Sequence, residues 1–115
     1  VTSSPTPGSI VSFRQGVIDS TGSHGTKDAK LLPNRELAVL TYGNGCTDRP
    51  DSVTGSGHQV TINYVPPKIP PGTVCANYLA PFTAVVRLPA SVDASLPLSV
   101  TVQNSGANSY TIPAR

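Results

Sequence analysis

The run HQVTINYV (58–65) alternates without a slip: Val60, Ile62 and Tyr64 fall on one side, and Gln59, Thr61 and Asn63 on the other. A period of two sends successive side chains to opposite faces of an extended chain, so the segment predicts a strand with one dry and one wet face. LSVTVQ repeats the pattern with Leu98, Val100 and Val102 inward. FTAVVRL puts Phe82, Ala84, Val86 and Leu88 on one face, and Val85 on the other predicts cover from both sides. SIVSFRQGV offers Val11 and Phe13 inward with a bulge expected at Gly16, and SYTIP supplies Tyr110 and Ile112. The longest helical candidate, 28–40, is interrupted by Pro33, and its second half, ELAVLTY, fits a strand buried on both faces.

Strands are therefore expected at Ser9–Ile18, Glu36–Tyr42, His58–Val65, Thr73–Leu79, Phe82–Leu88, Leu98–Gln103 and Ser109–Pro113. Several short alternating strands in roughly 100 residues predict an all-β fold, a single β-sandwich of immunoglobulin-like architecture, with a small β-barrel as the alternative. An antibody-type domain is disfavoured by the absence of Trp and by cysteines only 29 positions apart. The expected domain is 9–115. Residues 1–8, with Val1 as the sole apolar residue and two prolines, are expected to form a flexible N-terminal segment.

Composition narrows the partners. Ser, Thr, Gly and Pro account for 47 of 115 residues and charged residues for only 12%, a hydroxyl-rich, turn-rich surface. A net charge of +2 is too small to imply nucleic acid or a membrane surface. No apolar run is long enough to span a bilayer, so membrane insertion is not expected either. Cys46 and Cys75, the only cysteines, lack C-x-x-C spacing and read as one disulfide rather than a metal pair. That favours an extracellular or cell-surface location, with any signal peptide already removed from the polar opening VTSSPTPGS. The absence of an Asn-x-Ser/Thr sequon leans towards a bacterial source.

The disulfide creates a tension. If the expected strands simply alternate up and down, Cys46 follows the far end of the second while Cys75 sits near the opposite end of the fourth. Disulfide Cα atoms lie within about 7 Å. Either the chain at 43–46 folds back, or Thr73–Leu79 is not a regular strand.

YGNGC, RPDSV, GHQVTINY and VCANYLAPFTAVVRLP follow one another between Tyr42 and Pro89. With Cys46, Pro50, Cys75, Pro81 and Leu88-Pro89 in order, this stretch resembles small secreted and lipoprotein immunoglobulin-like β domains of Gram-positive, actinobacterial-type bacteria. The resemblance implies secretion and a β fold, and lends no catalytic residue. The first 41 residues lie outside it, and the N-terminal lipoprotein cysteine is missing here.

Residues suited to chemistry are sparse. His24 and His58 are the only bases that titrate near neutrality, and GSGH (55–58) lies in an expected hairpin connection with no helix after it, unlike a nucleophile elbow. His24 between Asp19 and Asp28 reads as a solvated loop rather than a metal site. Asp48 and Asp51 in DRPD lack the further acidic ligands of a Ca²⁺ site and read as a turn around Pro50. One Glu and five Asp offer no preferred pair for glycoside hydrolysis. No catalytic, metal or cofactor site is expected.

The most unusual segment is VPPKIPPG, Val65 to Gly72. Four prolines in six residues bias the backbone towards polyproline II and reduce the entropy lost on docking. Pro66, Pro67, Lys68, Ile69, Pro70 and Pro71 form the candidate binding loop. Up-and-down alternation would gather 19–35, 66–72 and 89–97 at one end, with Lys27, Lys30, Lys68 and His24, leaving 43–57, 80–81 and 104–108 at the other. The expected function is a non-catalytic interaction, adhesion or assembly module acting on a protein partner or on itself. The alternative is a secreted protease inhibitor: the run resembles the Lys-then-Ile-Pro-Pro stretch of Bowman–Birk-type loops, lacking the residue between Lys and Ile.

Overall fold

The structure, a computed structural model, describes residues 6–16, 28–43, 46–75, 80–104 and 109–115. Within them the chain is a β-sandwich of two sheets, built from β1 (Thr6–Pro7), β2 (Ser9–Gln15), β3 (Asp28–Leu32), β4 (Glu36–Gly43), β5 (Arg49–Ser56), β6 (Gln59–Val65), β7 (Ala80–Arg87), β8 (Ser99–Gln103) and β9 (Ser109–Pro113). One sheet has the order β1-β5-β6-β8-β9 and the other β2-β7-β4-β3. All pairs are antiparallel except β6 with β8.

The inward rows are those that alternation predicts. Val60, Ile62 and Tyr64 of β6, Val100 and Val102 of β8 and Leu98 just before it face Leu37, Val39 and Val86 across a common core. Ala38, Leu40, Thr83 and Val85, on the opposite side of β4 and β7, are buried as well. Those two strands are thus covered on both faces, as ELAVLTY and Val85 suggest.

Four expectations change. Val11 does not point inward; it is about half exposed, because β2 slips register between Ile10 and Ser12 and brings Ile10 and Phe13 to the core instead. The bulge therefore sits at Val11. Gly16 instead follows the end of β2, at φ +117, where its N–H bonds the Pro81 carbonyl and its own carbonyl accepts from the buried Thr83 hydroxyl. Pro50 makes no turn but pairs with Tyr64 inside β5, beside a second register shift at Asp51. The anticipated strand Thr73–Leu79 is not regular over 73–75, and its remainder lies outside the described residues.

The expected domain boundary at residue 9 falls inside the sandwich. Thr6 and Pro7 pair with Gly55 and Thr54, and the chain passes from one sheet to the other at Gly8, whose N–H bonds the Val53 carbonyl. A Cβ at Gly8 would collide with the Arg87 carbonyl and come within 2.9 Å of Val53, so only glycine lets the crossing strand lie this close. Residues 1–5, the rest of the expected flexible segment, lie outside the described residues. On the other flank, Arg115 bonds the Ala29 carbonyl and the Leu31 N–H along the edge of β3, and its guanidinium grips Asp28 at 2.7 and 2.9 Å.

Pairing fixes which loops share an end. Gly43 lies opposite Ala80, and Arg49 opposite Val65, so the upper end gathers Cys46–Asp48, the segment after Val65 and the start of β7. The lower end holds 33–35, Gly57-His58 and 88–98, tied together by Arg35, which donates to the carbonyls of Pro89 and Val92. The expected grouping of 66–72 with 89–97 is thus wrong: they lie at opposite ends. One strand, β7, lies between them among the described residues, where two were expected, because 73–75 is not a strand; β3 and β5, absent from the expected set, instead bring 46–48 to the end that carries 66–72.

Candidate functional site

The upper end is built on aromatic rings that join the sheets. Phe13 stacks on Phe82 with ring centroids 5.4 Å apart, and meets Tyr64 edge-on at 6.5 Å. Such contacts carry both apolar burial and geometric preference, which makes a firm base for what stands above. The Tyr64 hydroxyl is buried close to Tyr110 and to Thr41, whose side chain acts weakly against the rise in its ionisation, and no described residue meets it in full hydrogen-bonding geometry. Burial raises the ionisation of both tyrosines above the ordinary phenol range, Tyr110 to about 12 and Tyr64 further, the charge of Tyr110 adding to the effect on Tyr64.

From Tyr64 the chain leaves β6 at Val65 and enters the proline run. Pro66, Pro67, Pro70 and Pro71 all follow trans peptide bonds, and the residue before a proline is held to extended conformations. The run ends in a turn. Thr73 N–H bonds the Pro70 carbonyl at 3.2 Å, with Pro71 second and Gly72 third at φ +85. That is the arrangement of a type II turn, with proline and then glycine at the central positions. The Thr73 hydroxyl donates to the same carbonyl at 2.7 Å. Two residues later Cys75 is bonded to Cys46, with Cα atoms 5.6 Å apart. The tension over the cysteines is thereby resolved: β5 restores both to one end, and the chain at 73–75 is not a strand.

The loop is fastened at both limbs and faces outward. All residues from Val65 to Cys75 are exposed except the half-buried Pro67. Of the five large apolar side chains that stand exposed among the described residues, Val65, Ile69 and Val74 belong to this segment, and Val74 is 91% exposed. Scattered apolar residues on a surface are ordinary, but three on ten residues beside four prolines form a patch. The candidate residues Pro66 to Pro71 are therefore brought together. Val74 was missed by the sequence, where Thr73–Leu79 read as a strand. Its signal was present in Pro71-Gly72, which marks a type II turn and so ends the run before Val74.

The other candidates do not converge. His58 lies at the lower end with its Nε2 3.6 Å from Asp93, whose carboxylate also accepts from Ser95, and both members of the pair are exposed. Lys30 is on β3, away from Lys68, while Asp19, His24 and Lys27 lie outside the described residues. Asp48 and Asp51 flank Arg49 at the upper end. Among the described residues no three His, Cys, Asp or Glu side chains come together as metal ligands, and no helix is long and apolar enough to cross a membrane. Comparison of the chain with known protein families, curated proteins and solved structures gives no match.

Proposed function

We propose that this chain is a non-catalytic module, secreted or held at a bacterial cell surface, that binds a protein partner or a second copy of itself through the loop 65–75. The observation that carries the reading is the exposure of Val65, Ile69 and Val74 on a segment held by four prolines, a type II turn and a disulfide. Burying apolar surface is favourable only when ordering costs are small, and this segment has already met them. The disulfide suits an oxidising compartment, and the hydroxyl-rich composition and the resemblance over 42–89 support an extracellular setting.

The test is a variant in which Pro66, Pro67, Lys68 and Ile69 are replaced together by a Gly/Ser run. Native and variant proteins are compared side by side for quantitative capture of extracellular proteins from the source, and by light scattering for self-association. The reading expects a species, or an association, retained by the native protein and lost from the variant, with an unchanged melting temperature. Equal behaviour of the two proteins overturns it. Stoichiometric inhibition of a lysine-specific protease, abolished by Lys68→Ala, would favour the inhibitor reading instead.

A further inference from the structure

Between Pro66 and Pro71 four of six residues have no N–H, so Lys68 and Ile69 alone can donate from the backbone. A segment recognised by strand addition needs donors and acceptors alternating along its length. This one offers carbonyls and pyrrolidine rings. One edge of the sandwich is ill-suited to strand addition too: β2 is broken by the bulge at Val11. In an extended proline run with three residues per turn, Pro66 lies beside Ile69 and Lys68 beside Pro71. Pro67, the one half-buried residue of the six, marks the side turned to the domain. Lys68 is exposed and forms an ion pair with none of the described carboxylates.

From these features we infer that the partner presents a groove lined by tyrosine and tryptophan side chains with carboxylates at its rim. Flat aromatic faces match proline rings, phenol and indole groups donate to the carbonyls that the run displays, and the carboxylates meet Lys68. The inference rests on the loop being the contact surface and adds the chemistry of what it contacts.

The probes are three isolated domains: a WW domain and an SH3 domain, whose grooves are aromatic, and a PDZ domain, which adds its ligand as a strand. Each is titrated into the isotope-labelled native protein while amide and methyl signals are followed. The expected result is saturable shifts confined to 65–75 with the WW or SH3 domain and none with the PDZ domain. Substituting Pro66, Pro67, Pro70 and Pro71 together by Ala weakens binding by about tenfold or more, and Lys68→Glu weakens it as well. Signals of β6 and β7 report whether the variants remain folded, and the single substitution Ile69→Ala serves if the fourfold one does not. Flat titrations with both aromatic domains, shifts mapping elsewhere, or shifts with the PDZ domain overturn the inference. A flat titration alongside loop-dependent capture removes the aromatic groove and leaves the binding loop standing; loop-independent capture removes the loop itself.

Discussion

Cys46 and Cys75, 29 residues apart in sequence, are joined with their Cα atoms 5.6 Å apart, and the bond ties the return limb of the proline run to the connection between β4 and β5. Closing a loop of this size lowers the entropy of the unfolded chain by an amount worth roughly 3–4 kcal/mol. Substituting both cysteines by Ser is expected to lower the denaturation midpoint accordingly. It should also increase the motion of Thr73 and Val74 while leaving β8 and β9 unaltered. Equal stability of the native and substituted proteins would show that the bond constrains nothing outside the folded state.

The crossing at Gly8 supplies a second prediction. Gly8→Ala pushes a methyl group onto the Arg87 carbonyl, which belongs to a paired backbone and cannot swing aside. The cost is expected on the order of 1–3 kcal/mol, read as a drop in melting temperature. At Gly57, which has open space around the Cβ position but φ +59, the same change costs only local strain of about 1 kcal/mol. A smaller loss at Gly8 than at Gly57 would mean that the strand does not cross there.

A buried hydroxyl without a partner costs about 1–3 kcal/mol relative to a solvated one. Tyr64→Phe removes that hydroxyl and keeps the edge contact with Phe13. The expected outcome in chemical denaturation is unchanged or increased stability. A clear destabilisation would show that the hydroxyl is satisfied.

Tyr64 and Tyr110 also set the response to alkali. Both ionise later in the folded chain than in the unfolded one, so above pH 10 the unfolded state gives up protons that the folded state keeps. Their contribution is complete below about pH 10 and declines as the pH rises towards the folded value of Tyr110, about 12. Denaturation midpoints between pH 9 and 11.5 are expected to fall, and less steeply in Tyr64→Phe. A midpoint flat across that range would contradict the burial of both phenols.

Much of the sandwich could be read from residues. β4, β6, β7 and β8 carry enough Val, Leu and Ile at a period of one or two to declare both the strand and its buried face, and β9 declares itself through Tyr110 and Ile112. β3 and β5 do not. DAKLL is short and runs straight into a hairpin turn in which Asn34 and Arg35, neither of them glycine, take positive φ. RPDSVTGS turns only Val53 and Gly55 fully inward, and its glycine is required because a Cβ would run into the backbone carbonyl of Gln59 on β6. A strand whose inward residues are this small leaves no hydrophobic period. That omission put 43–48 at the wrong end, and reading 73–79 as a strand did the same for 89–97, although the proline run itself was conspicuous. Val74 was hidden for a different reason: β propensity in TVCANYL outweighed the turn before it.

The most direct measurement of the central claim is backbone ¹⁵N relaxation of the isolated native protein across 65–75. If the loop is ordered before any partner arrives, the amides of Lys68, Ile69, Gly72, Thr73, Val74 and Cys75 give order parameters of about 0.8 or above, close to those of β6. Values below about 0.6 at Lys68, Ile69 and Val74 would mean that the prolines, the turn and the disulfide do not hold the apolar patch in place, and would contradict a preformed binding loop.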